Sequence, residues 1–169
     1  MKKLNLFLFI IILIVFSNCT DKYEKVSVGN NISINIPVDF VLEENISGNE
    51  NIFKAKSDND ELYIAVDTIS GLDTTTMEHR KEIVEKNLNG FAKTINGKNI
   101  VIEDMKTEDD LILSHYSMEI EKHESLMTVY CKIVNQGSSF ILLTFFTEKP
   151  ASKASLKAKD MIFKSIKIE

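Results

Sequence analysis

Cys19 is the residue to which the sequence assigns the most specific chemistry. It follows an apolar run over residues 6–16, and only Ser17 and Asn18 lie between. Such a run is too short for a transmembrane helix, which takes about 20 residues. A plain secretory peptide would end in small residues of the A-x-A kind. The pattern therefore predicts a lipoprotein signal peptide over residues 1–18 that is removed, with lipid attached to Cys19.

The anchor position also predicts where the chain lies. A domain that follows a lipidated cysteine folds outside the cytoplasm, attached to the cell envelope. Thr20 stands where many lipoproteins of the inner membrane carry aspartate, which favours the outer membrane, on its periplasmic or surface side. We expect the polar residues 19–25 to form a lipidated tether and residues 26–169 to form a single domain.

Cys131 is the second thiol, and its surroundings are those of a core residue. In the predicted strand 126–134 it shares a face with Met127, Val129 and Ile133. A free cysteine in such a row most often packs as a small hydrophobic side chain. With no histidine placed beside it, we do not expect a nucleophile.

Histidine and carboxylate side chains raise the question of a metal site. His115, Glu119, His123 and Glu124 could converge near a hairpin, and imidazole and carboxylate suit zinc. Their spacing matches no metal motif, and alternating polar residues are typical of the solvated face of an antiparallel sheet. We expect an exposed surface role for His79. The sequence thus predicts no metal ligands, no cofactor and no catalytic residues.

Two acidic stretches, residues 58–61 and 103–110, suggest calcium. The first has alternate Asp58 and Asp60 but lacks the glycine and glutamate of a helical calcium loop. A turn and a charged hairpin tip explain them better. Because phosphate-loop, G-x-S-x-G, H-E-x-x-H and C-x-x-C motifs are also missing, we predict a protein that is not an enzyme.

The net charge argues against two classes of partner. Removal of Lys2 and Lys3 with the signal changes the formal net charge from −5 to −7. This sign is wrong for a nucleic-acid binder or for a surface that clings to anionic lipid.

Apolar periodicity predicts a mixed α+β fold. Ile32, Ile34 and Ile36 alternate with polar residues, which indicates a half-buried strand. Further strands are predicted at 52–56, 62–69, 100–107, 111–121, 126–134 and 140–147, and a short one at 165–168. One amphipathic helix is predicted from Met77 to about Asn96, with Thr75 and Glu78 as a capping box, and another at 151–163.

The stretch 140–146 is apolar on both faces, so it must be a central strand that is covered on both sides.

The order of these elements resembles a known family. The early Ile-Asn-Ile-Pro-Val-Asp-Phe at 34–40, a hairpin, a helix, a long meander and the closing residues 162–167 resemble the PsbP-like family, which includes the bacterial DcrB-like lipoproteins. The resemblance implies an antiparallel β-sheet flanked by helices, an α/β/α sandwich. It also implies an accessory or binding protein without catalytic residues.

The leading functional expectation is a membrane-anchored envelope lipoprotein with a non-catalytic protein- or ligand-binding domain. Its partners would be the membrane, through the N-terminal lipid, and an envelope protein or a small ligand, with no nucleic acid. One alternative is an immunity-type lipoprotein that neutralises a toxin. The other is a metal-dependent enzyme.

Overall fold

A computed structural model describes residues 22–28, 32–43, 52–108, 111–122 and 124–168. This part of the chain forms strands β1 (Tyr23–Val28), β2 (Ile32–Pro37), β3 (Val41–Leu42), β4 (Ile52–Lys56), β5 (Asp60–Thr68), β6 (Lys98–Glu108), β7 (Leu111–Lys122), β8 (Ser125–Gln136), β9 (Ser139–Glu148) and β10 (Lys167–Ile168). The helices are α1 (Met77–Thr94), α2 (Lys153–Ser165) and a short 3-10 turn, Leu72–Thr74. No helix among these residues is long and apolar enough to span a membrane.

The strands form two antiparallel sheets. The larger has the order β3-β4-β5-β9-β8-β7-β6, and the smaller has the order β1-β2-β10. Long hairpins join β6, β7, β8 and β9 in sequence, whereas β5 pairs with β9 across the intervening helix. The prediction of an α+β fold with an antiparallel sheet flanked by helices is confirmed.

Strand β9 lies inside the large sheet and is buried on both faces. Ile141, Leu143 and Phe145 point into one core, and Phe140 and Phe146 point into the other. The first core is closed by the small sheet and α2. The second is closed by α1. The two-sided apolar pattern thus correctly predicts a central strand that is covered on both sides.

Helix α1 begins at Met77 as predicted, but its capping residue lies one position later than predicted. Thr76, not Thr75, accepts a hydrogen bond from the His79 backbone N–H at 3.3 Å. The Thr75 hydroxyl instead donates to the Leu72 carbonyl at 2.8 Å, because Thr75 is the C-cap of the 3-10 turn. The prediction of the Thr75 capping box was therefore wrong by one position.

Strand β1 begins inside the segment that was assigned to the tether. Tyr23 lies opposite Pro37, and Val28 lies opposite Ile32, so β1 pairs with β2 over its full length. The Val38 N–H also donates to the Lys22 carbonyl at 3.0 Å. The paired strand consequently begins three residues before the predicted domain boundary at residue 26.

A buried arginine joins α1 to the end of the β8–β9 hairpin. Arg80 Nε donates to the Asn135 side-chain oxygen at 2.9 Å. The Asn135 amide in turn donates to the carbonyls of Gly137 and Ser139, at 3.1 and 2.8 Å. Because both side chains are buried, this network fixes the N-terminal part of α1 on the sheet.

We expect Arg80→Leu to lower the free energy of unfolding by about 2 to 4 kcal/mol, because it removes a charged donor and leaves buried acceptors unpaired. Urea unfolding followed by circular dichroism measures the change. Glu85→Ala, on the exposed side of the same helix, should change the stability by less than about 0.5 kcal/mol. Equal effects of the two substitutions would show that the network contributes nothing.

Candidate ligand-binding groove

A groove of about 560 Å³ lies between α1 and the large sheet. Its floor is formed by strand residues, and its wall by one side of the helix. The lining residues are Ile69, Ile83, Lys86, Asn87, Gly90, Phe91, Tyr116, Ile133, Phe140 and Leu142. The surface is mainly apolar, and Lys86 and Asn87 are exposed polar residues of the helix wall.

Gly90 contributes to the space beside the helix. A Cβ atom placed on it would meet no heavy atom within 4 Å. A glycine inside a helix costs about 0.5 to 1 kcal/mol relative to alanine, and crowding does not require it here. Since Gly90 lines the groove, the missing side chain leaves this part of the groove unfilled.

Two buried hydroxyls lie on the sheet face that α1 covers. Ser114 Oγ makes no hydrogen bond to any described residue, and the Tyr116 hydroxyl has only the weak acceptor Cys131 beside it. Burial, with a smaller contribution from the Cys131 thiol, raises the pKa of Tyr116. Buried polar groups normally have partners, and of these two residues Tyr116 lines the groove whereas Ser114 does not.

Cys131 lies in the same core, and the prediction for it is confirmed. Its side chain is fully buried. Burial raises the pKa of the thiol to about 12. A thiol in this environment stays protonated at neutral pH, so it is not an activated nucleophile.

A second, charged cleft of about 240 Å³ lies on the opposite face, beside α2. Asp104, His115 and Lys132 occupy directly opposed positions on β6, β7 and β8. His115 Nδ1 lies 2.9 Å from Asp104 Oδ1, and its ring stacks on Phe163 with centroids 6.3 Å apart. This polar row lies next to the C-terminal turn of α2.

Lys132 is buried and donates to the Phe163 carbonyl. That carbonyl is in the last turn of α2, where carbonyls lack partners within the helix. Burial lowers the pKa of Lys132, and the nearby Asp104 partly offsets the shift. These contacts give the row a structural role, since they attach the end of α2 to the sheet.

The polar row of Asp104, His115 and Lys132 predicts a contribution to the free energy of unfolding that depends on pH in the acid range. Hydrogen bonds from His115 and then from Lys106 lower the pKa of Asp104. A carboxyl group with a lowered folded-state pKa adds stability above its unfolded pKa, about 3.9, and this is lost as the pH falls through the folded value. The urea midpoint of the wild type should exceed that of Asp104→Asn at pH 7, and the difference should vanish in acid. A difference that persists in acid would mean that the charge is not its source.

Two of the four residues that were considered as metal ligands, His115 and Glu119, lie apart. Glu119 pairs with Lys149 and accepts from Asn99 at 2.9 Å, about 13 Å along β7 from His115. Glu124 lies in the β7–β8 turn, whereas His123 and Cys19 lie outside the described residues. Within the described ranges, no group of three or more histidine, cysteine or carboxylate residues could hold a metal ion.

His79 and the first acidic stretch behave as ordinary surface and turn residues. His79 is exposed and lies 3.2 Å from Glu82. The Ser57 N–H donates to the Asp60 carbonyl at 2.9 Å, and the Asp60 N–H contacts the Ser57 hydroxyl oxygen at 3.2 Å. The predicted turn is confirmed. The second stretch lies at the β6–β7 hairpin, and its residues 109 and 110 lie outside the described part of the chain.

Sequence reasoning did not identify the groove. Ser114 and Tyr116 are buried positions that alternate with half-buried positions along β7, and that alternation indicates only which face is buried. The one local signal is Gly90, a glycine in the middle of an otherwise favourable helix.

Comparison with known proteins shows the fold. No protein-family model and no curated protein matches this chain. It is similar to a solved structure from Bacteroides thetaiotaomicron VPI-5482, with a TM-score of 0.59 and 12% identity over 89% of this chain and 49% of that one. It thus spans about half the length of that protein. It is also similar to cyanobacterial PsbP (CyanoP) from Synechocystis sp. PCC 6803, with a TM-score of 0.61 and 8% identity over 90% and 95% of the two chains.

The chain has a PsbP-like fold. At these identities the likeness concerns the fold alone, and the groove is a feature of this chain's own residues.

Proposed function

We propose that this chain is a lipid-anchored protein of the cell envelope whose PsbP-like domain binds a small, mainly apolar ligand without catalysis. The observation that carries the proposal is the groove beside α1. Its volume lies within the range of about 300 to 1,000 Å³ that is typical of small-molecule sites.

The chemistry of the groove supports binding. Its surface combines aliphatic and aromatic side chains with a few polar groups, which is the usual composition of a ligand site. Apolar contact would supply most of the affinity. Lys86 and Asn87 could orient a polar end of the ligand.

The titratable residues support a non-catalytic role. Catalysis by side chains requires a nucleophile or base with a free reactive group and an orienting partner. Lys132 instead donates to the Phe163 carbonyl, the His115 ring stacks on Phe163, and Cys131 is buried as a thiol. These contacts favour a structural use of the groups that could otherwise carry a reaction.

The anchor is tested by metabolic labelling with a fatty-acid analogue. We expect label on the wild type and none on Cys19→Ala, because the sulfur of Cys19 is the proposed attachment point. Protease accessibility of intact cells then reports the side of the membrane on which the domain lies. Equal labelling of both chains would contradict lipid attachment at Cys19.

The groove is tested by filling it. We expect Gly90→Leu to abolish, or weaken at least about tenfold, the retention of a small molecule, since its side chain would occupy part of the volume. The lipidated protein is purified from envelopes, and native mass spectrometry measures the bound mass. Gly90→Ala and Glu85→Leu are the controls.

The controls separate filling from unfolding. Gly90→Ala should stabilise α1 by about 0.5 to 1 kcal/mol and retain the ligand, because it adds only a methyl group. Glu85→Leu adds the same side chain on the exposed side of the helix and should also retain it. A bound mass that persists in Gly90→Leu, or a wild type that carries none, would contradict the groove as the ligand site.

A further inference from the structure

We propose that the turn and edge strand beside the start of the domain form a membrane-contact patch, defined by Val38, Val41 and Leu42, that lies against the lipid surface. This inference rests on the lipid anchor proposed above. It assigns the domain a fixed orientation, with the β3 edge of the large sheet towards the bilayer and the β6 edge away from it.

The first argument is the length of chain between anchor and domain. Because β1 begins at Tyr23 and the Lys22 carbonyl already accepts from Val38, only three residue steps separate Cys19 from the folded chain. Three extended residues span at most about 10 Å. The surface around Lys22 must therefore lie close to the lipid headgroups.

The second argument is the composition of that surface. The exposed fractions of Val38, Val41 and Leu42 are 53%, 64% and 46%. Exposed apolar side chains also occur on β6, at residues 100–102, so composition alone does not distinguish the two edges. The short distance from Cys19 selects the β3 edge. Val38 is hydrogen-bonded to Lys22 through the backbone, so the patch begins at the residue where the chain arrives from the anchor.

The patch is attached firmly to the core. The Phe40 N–H donates to the Pro37 carbonyl at 3.0 Å and closes the turn. The Phe40 ring is buried and stacks on Phe145 with centroids 6.3 Å apart. A rigid turn can present Val38 and Val41 to the membrane with little loss of conformational entropy.

Charge near the patch is mixed and does not by itself favour anionic lipid. Lys56 lies opposite Val41, and both Lys54 and Lys56 pair with Glu43, while Asp39 lies in the turn itself. The lipid anchor and the apolar side chains would thus provide the contact. Because β3 is the edge strand of the large sheet among the described residues, the patch should enter only to headgroup depth, where water remains to solvate an edge.

The experiment measures how deep the patch lies. Val41→Cys is labelled with the fluorophore NBD in the full lipidated chain, which is reconstituted in phosphatidylethanolamine and phosphatidylglycerol vesicles that contain nitroxide-labelled lipid. Cys131 is buried, so the introduced thiol is the accessible one. We expect a blue-shifted emission and strong quenching by the nitroxide. Val38→Cys is a second probe in case the first variant does not fold.

Ile102→Cys is the matched control. Its side chain is 54% exposed, and it lies on β6, the opposite edge of the same sheet. Six strand spacings, about 29 Å, separate β6 from β3. A label at Ile102→Cys should show neither the shift nor the quenching.

Three outcomes would overturn the inference. Equal, water-like emission at both positions, with lipid on Cys19 confirmed by mass spectrometry, would refute the membrane contact alone. A blue shift without nitroxide quenching would assign the patch to a protein contact. A chain that carries no lipid on Cys19 would refute both the anchor and the orientation derived from it.

Discussion

The fold depends on a single constraint, the burial of both faces of β9. Its side chains are apolar in both directions, so a sheet with one solvated face would expose half of them to water. The constraint is satisfied by the small sheet with α2 on one face and by α1 on the other. The hairpins from β6 to β9 place this strand inside the sheet rather than at its edge, and the α/β/α layering follows.

The two faces of the large sheet are closed in different ways. The α2 side is closed by structural contacts, whereas the α1 side carries the groove proposed to bind a ligand. On the α2 side, polar contacts complete the closure: the Asn35 N–H donates to the Ser165 hydroxyl oxygen at 2.8 Å, and Lys132 binds the Phe163 carbonyl. On the α1 side, Arg80 fixes the beginning of the helix, whereas Gly90 lies further along beside the groove. The groove proposed for a ligand therefore lies on the α1 side, where the polar connection through Arg80 is near the beginning of the helix.

The sequence predicts most of the fold but little of the candidate site, for a physical reason. Strands such as 52–56 and 140–147 follow from local alternation or continuous apolarity, because burial against any apolar layer gives that pattern. The burial of Arg80 depends on Asn135, 55 residues away, and Lys132 depends on a carbonyl of α2. No local periodicity contains that information. Strand β1 was missed for a similar reason, since its polar residues are ordered by pairing with β2.

The structure also changes what the proposed anchor would mean. As a flexible tether, residues 19–25 would leave the domain free to rotate, and lipid attachment would determine location alone. Strand β1 removes most of that freedom by joining the chain to β2 at Tyr23. The groove residues on β7, β8 and β9 lie three to five strands from β3, about 14 to 24 Å across the sheet. With the β3 edge at the lipid surface, the groove opens above the headgroups. An apolar ligand would then be shielded from water by α1 and the sheet instead of by the bilayer.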